Sequence, residues 1–278
     1  METQGALFFY DKKALVKEKF PQKPVKVLFI TSIRDIVLEE YNGQFINLKN
    51  ECNHYVKGVI EKTLEETKQG GVLENLIEVV GVIVDDTESD LNGKFPLLPI
   101  KNKDWIYPKN LLPVNFVWNI QSLFRKLPKN DIDGRIKSKY DFELQVFEKA
   151  IEVEADIIIL DGYMARLDHL QTMMNGRVIN IHPAPAIIGM PYCFRGKDEV
   201  MDAIRFAQAN GGVGKTGATL HFVNSELDDG KPIAYICDTF VSGNDTEIEL
   251  LCRNYVQAKL PIFISGLRHF ILKIFPYL

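Results

Sequence analysis

"ADIIILDG", Ala155 to Gly162, is the stretch on which the fold turns. Ile157, Ile158, Ile159 and Leu160 follow one another with no polar residue between them. Side chains alternate between the two faces of a strand, so an unbroken apolar strand has to be covered on both. Working outward, "VKVLFIT" (Val25 to Thr31) and "LIEVVGVIVDD" (Leu76 to Asp86) precede it, and "RVINIHP" (Arg177 to Pro183) follows. "GATLHFV" (Gly217 to Val223) and "PIAYICDTFV" (Pro232 to Val241) come later. Between these runs lie amphipathic patterns at "YDFELQVFEKAIEV" (Tyr140 to Val153), "KDEVMDAIRFAQA" (Lys197 to Ala209) and Thr246 to Leu272. Such alternation predicts an α/β fold with a mostly parallel sheet covered by helices on both faces. The last two strands, joined only by a loop, are placed to add an antiparallel edge.

The chain has 278 residues, 46% of them hydrophobic and 25% charged, as in ordinary globular proteins. Residues 1–24, ending in "FPQKP", read as an N-terminal arm, and 25–278 as one domain. Prolines and aromatics interrupt the pattern around 99–141, which reads as an insertion packed on the main body. A formal charge of -4 provides no basic field for a nucleic-acid backbone. Cys52, Cys193, Cys237 and Cys252 are scattered, without metal-ligand spacing, and read as reduced thiols of a cytoplasmic protein. Neither a leader peptide nor a bilayer-spanning run is expected, and no membrane partner follows.

Two motifs mislead when read as strings. "ANGGVGKTG", Ala209 to Gly217, satisfies a relaxed phosphate-loop pattern. A working phosphate loop leaves a strand and opens a helix, whose N-terminus attracts the phosphates. Here a helix runs in and a strand runs out, so the stretch reads as a glycine-rich connection, with Asn210 and Gly211 stopping the helix in left-handed conformation. "DDTESD", Asp85 to Asp90, leaves a strand end and reads as a solvated loop rather than a hard-metal site.

Chemistry is more plausible in "VINIHPAPA", Val178 to Ala186, where Asn180 and His182 share one face of a strand near its C-terminal end. Ligands of open α/β sheets bind outside that end. An amide donor beside an imidazole suits a reaction that develops an oxyanion and moves a proton.

Taken in order, "IIILDGYMARL", "GRVINIHP", "TGATLHFVNSELDDGKPI" and "LPIFISGL" resemble the formyltetrahydrofolate-dependent formyltransferase family. The resemblance implies a Rossmann-like, doubly wound domain and 10-formyltetrahydrofolate as formyl donor. It implies a catalytic set of Asn180, His182 and Asp228, with Asp228 preferred over Asp229. The folate is expected near Met164, Leu167 and the backbone of Val223, Asn224 and Ser225. No metal is expected. The implied reaction is formyl transfer to the primary amine of a small-molecule acceptor, Asn180 stabilising the oxyanion while His182 and Asp228 handle the proton. His221 stands on the strand that leads to the loop and reads either as a satisfied strand histidine or as a group orienting its neighbour.

The chain departs from the family where a substrate would sit. After the first strand it reads "FITSIRDIVLEE", Phe29 to Glu40, without the glycine-rich phosphate cradle of phosphoribosylglycinamide formyltransferases. An acceptor other than phosphoribosylglycinamide is therefore favoured, with phosphoribosylglycinamide kept as the alternative. "MARL" places the arginine at Arg166, and the loop from Ala184 to Gly196 has no simple counterpart. Hydrolysis of the same donor and folate binding without turnover are the competing readings.

Overall fold

A computed structural model describes residues 7–8, 17–31, 45–46, 54–55, 58–85, 116–163, 165–189, 192–196 and 198–278. Among the described residues ten strands run in chain order: β1 (Leu7–Phe8), β2 (Val25–Thr31), β3 (Phe45–Ile46), β4 (His54–Tyr55), β5 (Ile77–Val84), β6 (Val117–Asn119), β7 (Ile157–Asp161), β8 (Val178–His182), β9 (Val213–Phe222) and β10 (Pro232–Ser242). The helices are α1 (Val59–Glu66), α2 (Ile132–Glu152), α3 (Leu170–Met173), α4 (Glu199–Ala209), α5 (Glu247–Asn254) and α6 (Leu260–His269).

Eight strands form one sheet in the order β1-β10-β9-β8-β7-β2-β5-β6, and β3 and β4 pair separately. The block from β8 to β6 is parallel, whereas β9, β10 and β1 extend it as an antiparallel edge. Burial explains the parallel block. Val25, Val27 and Phe29 of β2, with Ile157 and Ile159 of β7, enter a core under α1, α4 and the C-terminal helices. Leu28, Ile30, Ile158 and Leu160 enter a second core under α2. The chain is therefore doubly wound: from β2 it proceeds outward through β5 and β6, then returns to β7 beside β2 and builds the other way.

The segment expected as an insertion contributes to this frame. Residues 99–115 lie outside the described set, but Val117–Asn119 forms the outermost parallel strand against β5. α2 begins at Ile132, eight residues before the predicted start at Tyr140, with the Asp131 carboxylate accepting from the Gly134 N–H. Its first turns expose Ile132 and Ile136 at 64% and 60%, so no apolar stripe announced them.

The glycine-rich stretch closes α4 and enters β9. Gly211 and Gly212 take the left-handed conformation, φ +79° and +84°. Asn210 does not, at φ -118°; its side-chain amide instead donates to the Phe206 carbonyl. Lys215 and Thr216 lie inside β9, and Lys215 Nζ pairs with Asp238 on β10 at 2.8 Å. The acidic run also needs correction at its first residue. Asp85 is buried, accepts from Ser122 Oγ at 2.7 Å and faces Arg125 at 3.3 Å; Asp86 to Asp90 lie outside the described residues. Among the described residues no helix is long and apolar enough to cross a membrane.

Candidate active site

The site forms at the carboxyl ends of β7 and β8, over which the connection after β9, leaving beside the start of β8 because β9 runs antiparallel to it, folds back. β8 carries Asn180 and His182, two residues apart and hence on one face. After β9 the chain turns back at Gly230, where a Cβ would stand 1.5 Å from the Phe222 carbonyl oxygen, so only glycine fits. That tight return brings Asp228 over the end of β8. Asp228 is 8% exposed and adopts φ +51°, an uncommon conformation for a residue other than glycine.

Each polar group has an assigned direction. The Asp228 Oδ2 accepts from the Gly196 N–H at 3.1 Å and faces His182 Nδ1 at 3.5 Å. The Oδ1 lies 3.4 Å from the Asn180 amide nitrogen. His182 Nε2 lies 2.9 Å from the Phe194 carbonyl oxygen, which only accepts, so this nitrogen carries a hydrogen. Proton exchange is left to Nδ1, the nitrogen turned toward Asp228. Asp229 is engaged elsewhere: its carboxylate pairs with Arg195 Nη1 at 2.7 Å.

His221 completes the network behind Asn180. Its Nδ1 donates to the Phe222 carbonyl at 2.8 Å, leaving the Nε2 lone pair to accept from the Asn180 amide at 3.1 Å. Burial depresses this imidazole from its ordinary 6.5 to about 4, so it is neutral at pH 7. A flipped Asn180 would present its oxygen to that lone pair and to the Asp228 carboxylate. The neutral histidine thereby fixes which end of the amide points into the cleft. The reading in which His221 orients a neighbour fits its geometry.

The loop after β8 is anchored from both sides. Thr219 Oγ1 donates to the Ala184 carbonyl and accepts from the Ala186 N–H. The Asn254 amide donates to the carbonyls of Pro183 and Gly217. Across the cleft, at the point where the strand order reverses, Lys259 Nζ meets Asp161 Oδ1 at 2.7 Å, each side chain 3% exposed. Ligands of doubly wound sheets bind at such reversals.

Asn180, His182 and Asp228 thus line one cleft with Tyr163, Glu199, Glu247 and Lys259. Of the residues expected to contact folate, the described ones, Leu167, Val223, Asn224 and Ser225, are not among its lining. Leu167 is 1% exposed within the second core. The Val223 N–H donates to the Val178 carbonyl, Asn224 Oδ1 accepts from the Glu226 N–H, and Ser225 is exposed. Met164 lies outside the described residues. A second pocket opens between the first turns of α2 and the segment after β7, lined by Arg125, Lys129, Arg135, Lys139, Arg166 and Asp168 among others. Sequence reasoning missed Glu199 and the Asp161–Lys259 pair. Asp161 was visible as the last residue of an apolar strand, whereas nothing local distinguished Lys259.

Comparison with known proteins places these features in context. A model of the formyl transferase family matches residues 115–254. The phosphoribosylglycinamide formyltransferase of Schizosaccharomyces pombe is 35% identical over 102 residues, covering 35% of this chain and 45% of that protein. A formyltetrahydrofolate deformylase of Corynebacterium sp. (strain P-1) is 38% identical over 94 residues, 33% of this chain and 29% of that one. The chain spans about half the length of the first curated relatives it matches, 45% and 55%. Among solved structures, PvdF of pyoverdin biosynthesis, an N10-formyltetrahydrofolate-dependent formyltransferase, is similar with a TM-score of 0.73 at 27% identity. That similarity covers 87% of this chain and 98% of PvdF.

Proposed function

The chain belongs to the formyl transferase family, and on that premise we propose that it transfers a formyl group from 10-formyltetrahydrofolate to the primary amine of a small-molecule acceptor. The observation that carries this reading is the meeting of Asn180, His182 and Asp228 in one cleft at the carboxyl edge of the sheet. Attack of an amine on the formyl carbon creates an oxyanion, and the folate nitrogen must gain a proton to leave. The Asn180 amide answers the first need. Its contact with Asp228 is long at 3.4 Å, so that N–H is free to turn to the oxyanion. His182 answers the second, cycling a proton at Nδ1 while the Asp228 carboxylate holds the imidazolium.

The donor is itself an anion. Its carboxylates suit the second pocket, where five cationic side chains accompany one aspartate. Lys129 there is exposed and free to approach a ligand. Lys129→Glu is expected to raise the KM for the donor while leaving kcat unchanged, because it alters binding equally in the ground and transition states.

The test is to incubate the protein with 10-formyltetrahydrofolate, with and without a pool of small primary amines, and follow tetrahydrofolate against a His182→Ala control. Turnover that requires the pool, with a formylated amine detected by mass, supports the transferase. Equal formate release in both samples supports hydrolysis, the reading favoured by the segment 38% identical to a deformylase. Donor binding without turnover supports a folate-binding protein.

A further inference from the structure

Glu199 opens α4 and lines the same cleft as Asn180, His182 and Asp228. It is 9% exposed, and its Oε2 has no hydrogen-bond partner among the described residues. Buried polar atoms are nearly always paired, so an orphan at a cleft wall calls for an explanation. The other buried carboxylates of the site are committed, Asp228 to Gly196 and His182, and Asp161 to Lys259. The lining is also acidic. Glu199, Asp228 and Glu247 supply three carboxyl groups, while the cation Lys259 is tied to Asp161.

We propose that Glu199 receives the acceptor: its free oxygen holds the incoming ammonium and takes the proton that the amine must lose before it attacks. This role rests on the formyl-transfer reading. The acceptor is then a cationic amine, since phosphate against this lining would be repelled. Burial raises the Glu199 carboxyl above its ordinary range, with Asp228 acting in the same direction and His182 and Lys259 opposing. A raised carboxyl is a stronger base than an exposed one. The balance closes. The ammonium nitrogen begins with three hydrogens and ends, bonded to the formyl carbon, with one. One proton passes through Glu199 to solvent, and the other reaches the folate nitrogen as its bond to the formyl carbon breaks.

The experiment measures kcat and KM for wild type and Glu199→Gln with 10-formyltetrahydrofolate and four acceptor probes: 1,4-diaminobutane, ethanolamine, lysine and glycinamide ribonucleotide. Wild type is expected to favour the three amines without phosphate. Glu199→Gln is expected to lower kcat/KM for the amine by about 10²–10⁴-fold, with an unchanged donor KM and loss of the acidic limb of the pH profile. Glu199→Asp should restore part of the rate and the limb. Wild-type kcat/KM and pH profile in Glu199→Gln would overturn this role alone. A wild type that formylates none of the probes and only releases formate would overturn the transferase reading, and the role with it. If Glu199→Gln does not fold, carbon-13 titration of the wild-type carboxyl decides. Its midpoint must fall when saturating 1,4-diaminobutane is added, and an unmoved midpoint overturns the proposal.

Discussion

Asp228 combines two unusual properties, a left-handed backbone and a buried carboxylate between two histidines. Asparagine tolerates that backbone and still offers an oxygen to Gly196. Asp228→Asn is therefore expected to fold with a melting midpoint near wild type while kcat falls about 10²–10⁴-fold, as for loss of a group that serves proton transfer. Single-turnover kinetics beside a thermal melt check this; an unchanged kcat would reduce Asp228 to a brace for its loop. His221 predicts a pH dependence. Its folded value of about 4 lies below the ordinary 6.5, so between those values the unfolded chain binds a proton that the folded protein refuses. Stability is then complete above pH 6.5 and declines as pH falls toward 4, by roughly 1.4 kcal/mol per unit once the unfolded imidazole is charged. Denaturant midpoints across that range should fall less steeply in His221→Gln, which has nothing to protonate.

At the scale of elements, the C-terminal helical run supplies Glu247 and Lys259 to the cleft and anchors the loop after β8 through Asn254. α5 starts with a reciprocal cap between Thr246 and Glu249, and Thr246→Ala should cost about 1 kcal/mol in denaturant unfolding. The amphipathic pattern from Thr246 to Leu272 predicts one long helix. In the structure that run is interrupted by wider turns at Tyr255–Lys259 and Phe270–Ile274. Such bulges occur disproportionately at functional sites. The first of them ends on Lys259, whose ammonium lies 4.7 Å from the Tyr255 ring centre and meets Asp161. Lys259→Met leaves Asp161 charged and unpaired, with an expected loss of roughly 3–5 kcal/mol; adding Asp161→Asn should recover much of it. Unfolding of both variants measures the difference, and equal losses would show that the pair is not the cause. The early start of α2 was hidden for a physical reason. Ile132 and Ile136 face solvent, and its buried residues begin only at Phe142.

At the scale of the molecule, two pockets among the described residues carry opposite charge that a net -4 conceals. Carboxyl groups line the cleft, and arginines and lysines line the pocket beside it. The doubly wound order sets both near the carboxyl ends of the parallel strands. Lys215, by contrast, is a half-exposed partner of Asp238 between neighbouring strands. Lys215→Ala is expected to leave formyl transfer unchanged, and neither protein should hydrolyse nucleoside triphosphates. Loss of transfer in that variant, measured as tetrahydrofolate formed, would reopen the phosphate-loop reading.

The amino-acid sequence alone determined what depends on local period and local bulk. Near-continuous apolar strands have to be covered on both faces, which made the sheet legible, while its double winding was implied only by the family resemblance. Strand parity put Asn180 and His182 on one side, and the acidic loop singled out Asp228 once the family pattern was seen. Asp228 comes within reach of His182 because the connection after β9, closed at Gly230 against Phe222, folds back along β8. The tertiary structure alone decided that Asp161 meets Lys259, 98 residues away, and that Glu199 turns an unpaired oxygen into the same cleft. Contacts between distant parts of the chain are set by strand order and by where each connection closes. Neither leaves a trace in the spacing of neighbouring residues.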